Sequence, residues 1–105
     1  MILDKFGIFE FRDNSFIATL SDKKLEVFWD NISEINVYKV DLMTIDEIVM
    51  EMTYNDRVLT ITEETDGWNS FTDKLENIFP TIPVDWWQKV AHPAFATNFA
   101  TIYKK

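Results

Sequence analysis

A chain of 105 residues, 47% hydrophobic and 15% aromatic, is long enough for one domain with its own core and too short for two. It contains no Cys, which excludes disulfides, thiolate nucleophiles and cysteine-ligated zinc and leaves nine Phe and four Trp to build the interior. The net charge of −8 repels phosphate backbones, so nucleic acid is not an expected partner.

Met1–Lys5 shows no basic segment followed by a long apolar one, and no run of about 18 apolar residues exists. The expectation is a soluble protein of the cytoplasm, without a signal peptide. Short polar pairs at Asp13-Asn14, Asp22-Lys23, Met43-Thr44 and Asn55-Asp56 then separate runs in which apolar and polar residues alternate. That pattern is a strand meander.

Residues 6–29 form the first meander. A two-residue loop at Asp13-Asn14 sets Phe11 opposite Phe16, Phe9 opposite Ala18 and Glu10 opposite Ile17. A loop at Asp22-Lys23 sets Leu20 opposite Leu25, Ala18 opposite Val27 and Phe16 opposite Trp29. Residues 34–64 form the second. A turn at Met43-Thr44 pairs Val37 with Met50 and Ile35 with Met52. A loop at Asn55-Asp56 pairs Met52 with Leu59 and Met50 with Ile61. Side chains alternate with period two, so each meander gathers one apolar face, and the two faces are expected to pack together. Lys39 interrupts the second face near a strand end, where its stem is expected to carry the ammonium to water.

The period changes once. Trp68, Phe71, Leu75, Ile78 and Phe79 follow helical spacing, which predicts a capping helix over residues 67–79. Thr65 or Asp66 is the expected N-cap, Asp73 and Glu76 the wet side, and Pro80 the stop. In the tail, residues 81–105, Val84–Val90 reads as a short helix after Pro83. Phe95, Phe99 and Ile102 recur at three to four residues and suggest a last helix or an extended strap.

The run Leu25-Glu26-Val27-Phe28-Trp29-Asp30-Asn31-Ile32-Ser33-Glu34-Ile35 reads as strand, short turn, strand, and more strands and a helix follow in order to residue 79. Over residues 6–79 the chain resembles bacterial pleckstrin-homology-like domains, including the GRAM type. The resemblance implies an α+β fold: two antiparallel three-stranded meanders forming a PH-like split barrel or sandwich, capped by the amphipathic helix. To this the reading adds an aromatic, helical C-terminal tail. Six strands are counted where such domains have seven, and about 25 residues continue past the helix. Such domains host lipid, peptide and protein binding, so the likeness alone assigns no function. Members that bind inositides cluster basic residues in the first loops, whereas here Arg12, Lys23 and Lys24 are offset by Asp13 and Asp22.

Signals for chemistry are sparse. His92, the single histidine, has no assignable orienting acid. Asp41/Asp46 and Glu63/Glu64 could form a carboxylate dyad or calcium site, and the register sets Asp41 against Asp46. Yet no loop places oxygens at alternate positions around a Gly. Ser15, Ser21, Ser33 and Ser70 lie in no nucleophile elbow, and Gly7 and Gly67 are the whole glycine content, too few for a phosphate loop. No catalytic residue, cofactor or metal is therefore expected.

Surface character is more informative. From Asp41 to Asp66 lie eight acids and one base, Arg57. Trp86 and Trp87 are adjacent, so one can face the core while the other covers a sheet edge or meets a partner. The expected function is non-enzymatic protein recognition, with an acidic sheet face (Glu47, Glu51, Glu63, Glu64, Asp66) steering a partner of basic surface and Trp86 or Trp87 anchoring it. An immunity-type protein that blocks a toxin is one concrete version. The alternatives are a lipid or membrane-surface module, which the negative charge opposes, and a small enzyme with a carboxylate site. Free strand edges also allow a homodimer.

Overall fold

The computed structural model describes residues 6–41, 46–91 and 98–105. The elements run β1 (Phe9–Phe11), β2 (Ser15–Leu20), β3 (Lys23–Phe28), a 3-10 turn (Trp29–Asn31), β4 (Ile32–Asp41), β5 (Asp46–Tyr54), β6 (Arg57–Thr62), α1 (Trp68–Ile78), α2 (Trp86–Ala91) and β7 (Phe99–Lys104). The fold is α+β. One sheet has the order β1-β2-β3 and the other β6-β5-β4-β7, all antiparallel, and among the described residues there is one main helix and no closed barrel.

Both apolar faces enter one core. Phe16, Val27, Met50 and Ile61 belong to a single buried cluster with Ile35, Val37, Met52, Leu59, Phe71 and Leu75. Aromatic rings organise its centre: Phe71 of α1 lies 4.5 Å from Phe9 and 5.0 Å from Phe16, and Trp29 lies 4.8 Å from Phe16. These spacings suit offset and edge-to-face contacts.

Three of the four registers match the alternation pattern: Phe11↔Phe16, Val37↔Met50 and Met50↔Ile61. The turn expected at Met43-Thr44 lies outside the described residues, although Asp41 and Asp46 do pair. Asn55 and Asp56 both adopt positive φ (48° and 61°), as a two-residue hairpin loop with the right twist demands. The second hairpin differs. Leu20 pairs with Lys23, Ala18 with Leu25 and Phe16 with Val27, so the loop is Ser21-Asp22, not Asp22-Lys23. A shift of two residues leaves every side chain on its own face, so the apolar pattern cannot detect it. The turn decides, with Ser21 in the left-handed region (φ 56°).

Three further expectations need correction. Lys39 does not reach water: it is 1% exposed, on the inner face opposite Ile48. The N-cap of α1 is Gly67 in a left-handed conformation, without a side-chain cap. Thr65 is already committed, since its Oγ1 accepts from the Thr62 N–H (3.0 Å) in the turn that leaves β6.

The C-terminal element, finally, is a strand and not a helix. β4 would otherwise expose an edge of unpaired N–H and C=O groups, and β7 satisfies it along Glu34–Tyr38. A bulge between Ile35 and Asn36 lets both Ile102 and Tyr103 contribute to the interior, with Tyr103 4.3 Å from Phe79. Phe99, part of the apparent helical spacing, is 66% exposed, and Phe95 lies outside the described residues.

Candidate functional site

Pro80 ends α1, and the chain turns through Thr81–Asp85 into α2, whose apolar residues Trp86 and Val90 are buried. α2 packs on the ends of β4 and β5. Between α1 and α2 opens a groove of about 310 Å³. It is lined by Ile48, Thr72 and Trp86, which are buried, by Trp68 and Trp87, and by three carboxylates, Glu63, Asp73 and Glu76. Among the described residues no Lys or Arg lines it.

Two of the acids are anchored. Glu63 Oε1 accepts from the Ile48 backbone N–H (2.9 Å), and Glu76 Oε2 accepts the Trp86 indole N–H (3.4 Å). Each is thus tied through one carboxylate oxygen and keeps a second oxygen as an acceptor. Trp68 and Trp86 meet edge to face at 6.3 Å, while Trp87 is 48% exposed. A recess of this kind suits a cationic side chain: indole faces attract it and held carboxylates accept its hydrogen bonds. Two other recesses both border Phe6, next to residues outside the described chain.

The residues expected to form one acidic sheet face are divided. Glu47 and Glu51 lie on the outer face of the four-stranded sheet, with Met50 and Met52 facing inward. There Glu51 accepts from Tyr38 Oη (3.2 Å), and Tyr38 stacks on Phe99 (6.4 Å). Burial and the neighbouring Glu51 carboxylate push the Tyr38 phenol above its ordinary pKa. Nearby, Thr101 donates to Asn36 and Asn36 to Glu34, both at 2.6 Å, and Lys104 lies 3.8 Å from Glu34. Glu63 belongs to the groove instead. Glu64 and Asp66 are exposed in the β6–α1 connection.

Of the tryptophan pair, Trp86 is the core member (3% exposed) and Trp87 the surface one. Trp68, Asp73 and Glu76 join the groove, although helical spacing marked Trp68 only as core stripe and the acids only as wet side. Asp46 of the Asp41/Asp46 pair lies 3.5 Å from Lys39 Nζ. His92 lies outside the described residues. Among the described residues no group of three His, Cys, Asp or Glu is arranged to hold a metal ion, and no helix is long and apolar enough to cross a membrane.

Compared with family models, curated proteins and solved structures, the chain matches none.

Proposed function

We propose that this chain is a non-enzymatic protein-recognition domain whose α1–α2 groove takes a basic side chain of a partner. The observation that carries it is the half-exposed Trp87 beside two hydrogen-bonded carboxylates, Glu63 and Glu76, in a recess that no basic residue lines among the described residues. Held acceptors spend little conformational entropy on binding, so they favour affinity. The net charge of −8 adds long-range attraction for a basic surface. Glu47 and Glu51 contribute to this field from the outer sheet face, and Glu64 and Asp66 from the β6–α1 connection. An immunity-type inhibitor of a basic toxin is one version that fits. The reading keeps the likeness to PH-like domains as a proposal, with the difference that β7 follows α1 and α2 in the chain.

The test is a titration of the ¹⁵N-labelled protein with an arginine-rich peptide. The indole N–H resonances of Trp86 and Trp87 should move, and the movement should fade toward about 1 M salt, where the Debye length falls to ~3 Å. The double variant Glu63→Gln/Glu76→Gln should lose most of the response. Indole resonances that stay still, or an equal response from the variant, would sink the proposal.

A further inference from the structure

Lys39 occupies a position that the fold would fill with an apolar residue. It continues the inner row Ile35, Val37 on β4, opposite Ile48, and is 1% exposed. Its Nζ donates to the Ala91 carbonyl (2.8 Å) and lies 3.5 Å from Asp46 Oδ2. Ala91 is the last residue of α2. Next to this contact, Asn98 Nδ2 donates to the Val90 carbonyl (3.1 Å), and the Lys39 N–H donates to the Asn98 carbonyl (3.0 Å). The C-terminal carbonyls of α2 are thus received by β4 and the residue that precedes β7. A cation at that end is also the favoured partner of the helix dipole.

Burying an ammonium is costly, and an apolar side chain in its place is often neutral or better for stability. What an apolar residue cannot do is bond a helix carbonyl. We infer that Lys39 is the positioning residue of the recognition groove: by fixing the C-terminus of α2 it sets Trp86 and Trp87 against α1. This rests on the groove being the recognition site, but the placement of α2 can be read without any ligand.

The experiment compares the wild type with Lys39→Met/Asp46→Asn, which removes both charges so that neither is left buried alone. Amide hydrogen exchange at Trp87–Val90 should quicken about tenfold or more, while amides in the centres of β4 and β5 stay within about twofold. Affinity for the arginine-rich peptide should fall about tenfold. Unchanged exchange in α2, or uniform acceleration across the sheet, would overturn the inference. So would a double variant that does not fold, since the pair would then serve the fold as a whole. If the wild type ignores the peptide, the recognition reading fails while the exchange pattern still decides the role of Lys39.

Discussion

Gly7 and Gly67 cross so closely that neither position has room for a side chain. A Cβ on Gly7 would lie 2.0 Å from the Asp66 carbonyl carbon, and one on Gly67 would lie 2.1 Å from the Phe6 oxygen. Both residues have positive φ, 56° and 90°. The whole glycine content of the chain is thus spent where the N-terminal segment passes the start of α1, with the Ile8 N–H donating to the Asp66 carbonyl at 3.2 Å. Gly7→Ala and Gly67→Ala each combine left-handed strain with a clash against backbone, which cannot rotate away. Each should destabilise by about 3 kcal/mol or more, read as a lower midpoint in urea. A loss below about 1 kcal/mol would mean that the crossing opens easily.

The centre of the core should respond as strongly. Phe71 is 0% exposed and its ring meets those of Phe9, Phe11, Phe16 and Trp29. It is the point at which the helix engages both the first sheet and the 3-10 turn. Phe71→Ala should cost about 3–5 kcal/mol, the range for a large buried aromatic whose cavity cannot fully collapse. Phe71→Leu, which keeps most of the volume, should cost clearly less. Denaturant unfolding of both variants checks the order.

Much of this architecture was legible because strands have a two-residue period and hairpin loops are short. Phe11↔Phe16, Val37↔Met50 and Met50↔Ile61 follow from those two facts. The misplacement of the β2–β3 loop has an equally plain cause, since Leu20↔Lys23 and Leu20↔Leu25 keep the same faces. Phe99 and Ile102 sit three residues apart, a spacing common to a helix and to a strand with a bulge, and only the open edge of β4 distinguishes them. The groove was half legible. Glu63, Trp86 and Trp87 stand out by type, but Trp68, Asp73 and Glu76 join them only because α2 returns within side-chain reach of α1, where Trp86 meets Trp68 and Glu76. No local pattern encodes that return, nor the Lys39–Ala91 bond across fifty-two residues that fixes it.

The outer face of the four-stranded sheet should titrate in the alkaline range. Partial burial, the hydrogen bond to Glu51 and the Glu51 charge all favour the neutral phenol of Tyr38 and raise its pKa. A group whose pKa is raised on folding contributes its stability below the unfolded value, near 10, and loses it as pH rises through the folded value. Stability should therefore fall more steeply above about pH 10 in the wild type than in Tyr38→Phe. Glu51→Gln should bring the Tyr38 titration, followed by ultraviolet difference absorption, back toward the ordinary range. An unmoved titration would show that burial alone sets it.

Trp86 and Trp87 are neighbours with opposite duties, and substitution should separate them. Trp86 is 3% exposed, packs against Trp68 and gives its indole N–H to Glu76. Trp86→Ala should destabilise by about 3–5 kcal/mol. Trp86→Phe keeps a ring but removes the donor, so it should cost less and release the Glu76 carboxylate. Trp87 is 48% exposed and is one of the residues that line the groove. Trp87→Ala should leave stability within about 0.5 kcal/mol, as is usual for surface substitutions. It should nonetheless weaken binding of an arginine-rich peptide by about tenfold, since an exposed tryptophan at such a site carries about 1–2 kcal/mol of cation–π attraction and contact. Thermal unfolding gives the first quantity and calorimetric titration the second. A Trp87→Ala protein that binds as the wild type does would remove the aromatic anchor and leave only the carboxylates to hold a basic side chain.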